Sequence, residues 1–230
     1  MKTVIIHGQS HKGSTYHIAH TLAEKIGGEI TEFFLPADFD EFCVGCNTCF
    51  YKSESECPHH GRLAPITDAM DAADVIILAS PVYVYHVTGA MKAFLDHLGF
   101  RFMVHRPEES MFRKQGVCIC TAAGGGMKST LQDMTHSLFF WGTGRIYKYG
   151  PGVAAANWEG VSAKKKAALD RATSKLAKAI VRRYGKVKPG LKTKLFFNLM
   201  RLVQKKWGFC QSDVKYWTEK GWLGSKRPWN

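Results

Sequence analysis

The 230 residues suffice for one large α/β domain with an extension, and an apolar share of 45% argues against disorder. No run of about 20 apolar residues is free of charge, so composition excludes a membrane-spanning helix. The net charge of +13 is uneven: residues 181–230 hold 13 Lys or Arg against only Asp213 and Glu219, a net of +11, while residues 1–180 hold 19 basic and 17 acidic groups, a net of +2.

The opening MKTVIIHGQS has too short an apolar run for a secretory signal and reads as a first strand, KTVIIH (2–7), entering a loop. A cytoplasmic location is expected, where thiols stay reduced. Residues 14–27 read as a helix capped by Ser14 and stopped by Gly27, with Ile18, Leu22 and Ile26 on its buried face. EITEFFL (29–35) is a second strand. After a cysteine-rich segment come a short helix near 65–73 and DVIILASPVYV (74–84). That nearly continuous apolar run suits a parallel strand covered on both faces. A helix over 89–99, a strand over 115–126 ending in three glycines, a helix over 127–142, a strand over 145–155 and a long helix over 159–184 complete the series. Such alternation builds a parallel sheet with helices on both sides, and right-handed crossovers leave few topologies. The composition shift near Gly185–Gly190 divides a body, residues 1–185, from a basic extension, residues 186–230, that holds four of the six tryptophans.

In an open parallel sheet the ligand sits outside the carboxyl ends of the strands. Three loops leave such ends with unusual composition. In HGQSHKGST (7–15), Gly8 and Gly13 permit tight turns, Ser10, Ser14 and Thr15 supply hydroxyls, and Lys12 and His11 supply charge, all at a helix start. These make a phosphate cradle that lacks both the Walker spacing and GxGxxG. In SPVYVYHVTG (80–89), Pro81 fixes the backbone while Tyr83 and Tyr85 offer flat faces. In TAAGGG (121–126), small residues bring a ligand against bare amides. Each loop has a bland reading, as a helix cap, a core aromatic pair or a flexible turn. Together they suit a planar ring on a short phosphorylated chain, flavin mononucleotide (FMN).

At these segments the chain resembles the NAD(P)H-dependent FMN reductases and iron–sulfur flavoproteins of the flavodoxin-like fold, over roughly residues 1–185. The most specific part is SPVY followed by GAMKAFLD. His97 stands where the family usually carries Arg, Gln9 where Ser is more usual, and His11 where Arg is often found. The resemblance implies a doubly wound five-stranded parallel sheet of order 2-1-3-4-5 with a helical C-terminal extension. It implies FMN held by Ser10, Lys12, Ser14 and Thr15, by Pro81, Val82, Tyr83 and Tyr85, and by Thr121, Ala122, Ala123, Gly124 and Gly125. NAD(P)H is the implied co-substrate. A homodimer or homotetramer is expected, because the family's sites are commonly completed across subunits.

The segment CVGCNTCFYKSESECP (43–58) has the spacing C-x2-C-x2-C-x7-C with Pro58 directly after the fourth cysteine. Three thiolates at this interval wrap a compact cluster, and bacterial ferredoxin runs share the trailing proline. Zinc sites more often use two separated knuckles, although His59 and His60 are available as ligands. Unliganded or redox-active thiols are the third reading. The pattern resembles the cysteine motif of iron–sulfur flavoproteins, which implies a four-iron four-sulfur (4Fe-4S) cluster on Cys43, Cys46, Cys49 and Cys57. Cys118 and Cys120 read as small core residues, and Cys210 as free.

The implied activity is FMN-dependent oxidation of NAD(P)H coupled to reduction of flavin, a quinone or another small acceptor, with the cluster relaying electrons to a redox partner. No general base is assigned. A non-enzymatic flavodoxin-like carrier is disfavoured by the basic charge, and a cysteine-based redox sensor is the other alternative. In the extension, LKTKLFFNLMRLVQKKW (191–207) sets Leu191, Leu195, Leu199, Leu202 and Val203 on one side of a helix and Lys194, Arg201 and Lys205 on the other. The apolar side is expected to dock on the body or a second subunit. An anionic membrane or an acidic partner is the alternative, and nucleic acid is not expected. SDVKYWTEKG (212–221) reads as a short helix capped by Ser212 or Asp213.

Overall fold

In the computed structural model, which describes residues 1–230, five strands form one all-parallel sheet of order β2-β1-β3-β4-β5. They are β1 (Lys2–His7), β2 (Glu29–Phe34), β3 (Val75–Ala79), β4 (Gln115–Ile119) and β5 (Arg145–Tyr149). Every residue of β3 and β4 is buried, as their unbroken apolar runs require, while the edge strands β2 and β5 are part-exposed. Ile5 pairs with Ile77, and Ile77 with Val117, so one apolar row crosses the sheet.

The connecting helices are α1 (Ser14–Ile26), α2 (Thr48–Tyr51), α3 (His60–Ala72), α4 (Gly89–Asp96), α5 (Met127–Phe140) and α6 (Ala163–Arg182). On one face Ile18 and Leu22 of α1 and Leu169 and Ile180 of α6 pack on Ile5, Ile77 and Val117. On the other, Leu63 of α3, Phe94 of α4 and Leu138 of α5 pack on Val4, Ile76 and Leu78. Each fully buried aliphatic or phenyl side chain contributes about 1.5–3 kcal/mol, and the two layers together hold the sheet.

The chain continues into α7 (Leu191–Lys206) and α8 (Gln211–Glu219). Their anchor is an aromatic cluster in which Phe197 stacks on Trp217 at 4.8 Å and meets Phe112 and Trp222 edge-on. Of the two surfaces expected to receive the leucine face of α7, the body is not one: Leu191, Leu195, Leu199 and Leu202 are exposed on this chain, and Thr193, Phe197 and Gln204 are the buried residues. Phe197 has a ring-lined slot to fill and decides which face turns inward.

Three strands end sooner than their apolar runs suggest. β3 stops at Ala79 rather than 84, β4 at Ile119 rather than 126, and β5 at Tyr149 rather than 155. In each case the remainder is loop at the carboxyl rim. α3 starts at His60 rather than 65 and carries Pro65 inside it. α8 starts at Gln211 with no side-chain cap, because Asp213 turns inward.

Candidate functional site

The carboxyl ends of β1, β3, β4 and β5 open into one cavity of about 340 Å³, within the size range of small-ligand sites. The three glycine- and tyrosine-bearing loops meet there through named contacts. Gln9 Nε2 donates to Tyr83 Oη at 2.6 Å, joining the first loop to the second. The Val82 amide donates to the Thr121 carbonyl at 3.0 Å, joining the second to the third. Thr15 Oγ1 and Thr121 Oγ1 share a buried hydrogen bond of 2.6 Å, joining the third to the first.

The cavity floor is α1. Its N-cap is Gly13, no side chain caps its first turn, and Ser14, Thr15 and Tyr16 of that turn line the cavity. A helix start of this kind takes an anion. Close approach depends on glycine at Gly8, where a Cβ would meet Thr88 Oγ1 at 2.9 Å. Thr88 donates to the Gly8 carbonyl at 2.6 Å and caps α4 by accepting from the Met91 amide. Gly126 has φ +87° and its Cβ would lie 2.6 Å from Val82 Cγ1.

The second loop is a two-residue hairpin. Tyr83 and His86 exchange backbone hydrogen bonds of 2.9 and 3.0 Å, and Val84 and Tyr85 between them have φ +46° and +67°. Asn and Gly are the usual occupants of such a turn, and a β-branched residue there is strained. α5 holds the hairpin: the hydroxyls of Ser129 and Thr130 donate to the Tyr85 carbonyl, and Asp133 accepts from His86 Nδ1 at 3.0 Å.

Of the residues singled out from sequence, Ser14, Thr15, Pro81, Val82, Tyr83, Thr121, Ala122 and Ala123 lie on the cavity wall. Ser10, Lys12, Tyr85, Gly124 and Gly125 do not. Ser10 Oγ is turned to the Leu35 carbonyl at 3.2 Å, and Lys12 Nζ lies over the Tyr16 ring at 5.1 Å. Tyr85 and the two glycines are exposed beside the cavity mouth. The wall also contains His7, Gln9, Tyr16 and Ala79, and Val153, Ala155 and Ala156 from the loop after β5. That fourth loop was readable from Gly150-Pro151-Gly152, which ends the strand. His7 is buried, bonds Glu32 Oε1 at 2.8 Å and stacks on Phe34. Burial, partly offset by Glu32, pushes its pKa below the usual histidine value.

The four cysteines of residues 43–57 line a second, small hollow of about 40 Å³, together with His59 and His97. Burial and the neighbouring Cys57, Cys43 and Cys46 raise the Cys49 pKa, whereas hydrogen bonds from Thr48 lower that of Cys46. No three His, Cys, Asp or Glu side chains approach closely enough for one metal ion. The four thiols share one hollow without forming a metal-binding group. Cys118 and Cys120 are core residues whose thiols burial pushes up to about 12, which leaves them inert.

Residues from α8 brace this segment. The Arg106 side chain, 8% exposed, donates to Asp213 Oδ1 at 2.6 Å, to the Phe50 carbonyl at 3.3 Å and to the Cys49 carbonyl. Cys210 Sγ donates to the Phe50 carbonyl at 3.0 Å, and Ser212 Oγ to the Tyr51 carbonyl at 3.0 Å. Cys210 is thus free of a disulfide yet engaged.

A parallel sheet of order 2-1-3-4-5 with helices on both faces and a cavity at the carboxyl ends of its strands defines the flavodoxin-like fold. The chain belongs to the NADPH-dependent FMN reductase family, whose model matches residues 1–160. It is similar to an iron-sulfur flavoprotein of Archaeoglobus fulgidus, 28% identical over 202 residues, which covers 87% of this chain and 88% of that protein. It is also similar to an FMN-dependent NADH:quinone oxidoreductase of Bordetella bronchiseptica, 26% identical over 153 residues, covering 58% and 72%. Among solved structures, an FMN-dependent NADH-azoreductase of Bacillus anthracis in complex with FMN superposes with a TM-score of 0.56 at 14% identity, over 77% of this chain and all of that one. The protein is an NAD(P)H-dependent flavin oxidoreductase that uses FMN.

Proposed function

We propose that the FMN phosphate binds at the uncapped start of α1, against Ser14 and Thr15, and that the flavin ring lies between the Pro81–Tyr83 turn and the amides of Thr121–Ala123. We propose further that the acceptor is a small planar molecule such as a quinone or free flavin, and that Cys43, Cys46, Cys49 and Cys57 would hold a 4Fe-4S cluster, which would supply one-electron transfer when bound. The observation that carries the first part is the three-way joining of the loops by Gln9–Tyr83, Val82–Thr121 and Thr15–Thr121 around one cavity. When bound, FMN supplies hydride acceptance and release of electrons singly or in pairs.

The chain's own part is to bind, orient and exclude water. The α1 amides and the Thr15 hydroxyl would hydrogen-bond the phosphate and stabilise its charge. Tyr83, held by Gln9, walls the ring edge. Backbone amides of the 121–123 segment stabilise negative charge that develops on a bound ring. Convergence of the four cysteines on one hollow, with the similarity to an iron-sulfur flavoprotein, supports the cluster. Similarity to an NADH:quinone oxidoreductase supports the acceptor class.

The test is anaerobic purification followed by iron and acid-labile sulfide assay, absorption spectroscopy and NAD(P)H oxidation with a quinone series. Flavin with equimolar iron and sulfide, and turnover with quinones, is expected. Flavin without iron sinks the cluster alone. A colourless protein that stays colourless after FMN is added sinks the whole reading.

A further inference from the structure

The four leucines of α7 are 73%, 62%, 53% and 47% exposed at Leu191, Leu195, Leu199 and Leu202. At spacings of four, four and three residues they form one continuous stripe along 12 residues of the 16-residue helix. Lys192 and Lys206 border one edge of the stripe, and Lys194, Arg201 and Lys205 the other. α7 carries no acidic residue at all, and residues 181–230 hold only Asp213, buried against Arg106, and Glu219, paired with Lys215 at 3.9 Å. Just beyond the helix, Trp207 and Phe209 are 61% and 82% exposed with parallel rings.

We propose that this face seats the protein on an anionic lipid surface, with α7 lying in the plane of the interface. An apolar stripe bordered by lysines, with Trp and Phe at one end, has the composition of an interfacial helix. No helix of the chain is long and apolar enough to cross a membrane, so the contact is peripheral. Charge selects lipid over a second copy of the chain. A twofold contact through this stripe sets five basic side chains of α7 against five more, and α7 itself carries no carboxylate to receive them. An anionic headgroup layer answers the exposed Lys192, Lys205 and Lys206.

The arrangement also gives the contact a direction. Phe209 adjoins Cys210, whose thiol bonds the Phe50 carbonyl next to Cys49, and Ser212 bonds the Tyr51 carbonyl. The aromatic end of the lipid-facing element therefore abuts the cysteine segment, where Tyr51 is 72% exposed. A lipid-dissolved acceptor then meets the protein beside the cysteine hollow. That last consequence rests on the proposed acceptor class, whereas lipid binding does not.

The experiment is co-sedimentation of the full-length protein with vesicles of phosphatidylcholine alone and of phosphatidylcholine mixed with phosphatidylglycerol, alongside sedimentation velocity without lipid. Wild type is expected to partition to the mixed vesicles at least about tenfold better than to the zwitterionic ones, and less well as salt rises. The paired change Leu195→Glu and Leu199→Glu, and separately Lys192→Gln with Lys205→Gln and Lys206→Gln, is expected to lower partition about tenfold or more. Neither is expected to alter the flavin spectrum, turnover with a water-soluble acceptor or the sedimentation coefficient. Failure of wild type to bind mixed vesicles at low salt overturns the proposal. So does a paired leucine variant that converts a dimer to a monomer, which would make the stripe a self-contact. Lipid binding in a protein that holds no flavin would leave this proposal standing while the functional reading fell.

Discussion

Replacing Asp213 by alanine removes the carboxylate that joins α8 to the loop bearing His105 and Arg106. Its side chain is 2% exposed and accepts from Arg106 at 2.6 Å, with His105 Nδ1 at 2.7 Å on its other oxygen. Breaking a buried pair by deleting one member costs about 3–5 kcal/mol, because the surviving charge stays buried without its counterpart. Arg106 keeps the Cys49 and Phe50 carbonyls and a 3.4 Å contact to Glu54, which puts the loss near the low end, about 3 kcal/mol. That is roughly a hundredfold rise in the open population. Urea unfolding followed through the buried Trp217 and Trp222 reads it, and the rate of Cys210 alkylation reads local opening. Replacing both members with apolar residues, Arg106→Met with Asp213→Leu, is expected to recover most of the loss. A single-variant loss below about 1 kcal/mol would refute the reasoning, since the pair would then not be what holds α8 to the cysteine segment.

The hairpin at Tyr83–His86 is expected to tolerate the usual turn pair: Val84→Asn with Tyr85→Gly relieves two positive-φ positions, raising the melting midpoint by about 2–4 °C by calorimetry; a lowered midpoint counts against strain there. Folded His7 and His97 both have pKa values pushed below the ordinary 6.5, mainly by burial, so the unfolded chain takes up their protons first as pH falls. Stability from these groups is then complete above about pH 6.5 and lost below it, by up to about 1.4 kcal/mol per pH unit for each group. Urea midpoints at several pH values test this, and a midpoint that rises on acidification contradicts it. Cys43→Ser and Cys57→Ser are each expected to cut iron content at least severalfold while leaving bound flavin intact; unchanged iron would remove these residues from the ligand set.

β3 and β4 were legible because burial on both faces writes an unbroken apolar run, and α1 and α6 because each carries one apolar face. Strand ends were not, since Ser80, Thr121 and Gly150 leave the sheet for reasons of loop geometry rather than polarity. Pro81 and the Gly150-Pro151-Gly152 run were the available signals. Composition located the first three loops but not which side chains turn into the cavity. Lys12 prefers the Tyr16 ring and Ser10 the Leu35 carbonyl, both tertiary choices. The Arg106–Asp213 pair spans 107 residues and leaves no local trace. In α7 the period shows which residues share a face, but Phe112, Trp217 and Trp222 decide that Phe197, not the leucines, goes inward.

Calorimetric titration of flavin-free protein with FMN, for wild type and for Ala122→Trp, reads the convergence of the three loops directly. Ala122 lies on the cavity wall, and an indole there occupies the space assigned to the ring. One FMN per chain for wild type, and at least about a hundredfold weaker binding for the variant, is the expected result. Equal affinity in both proteins would contradict the account.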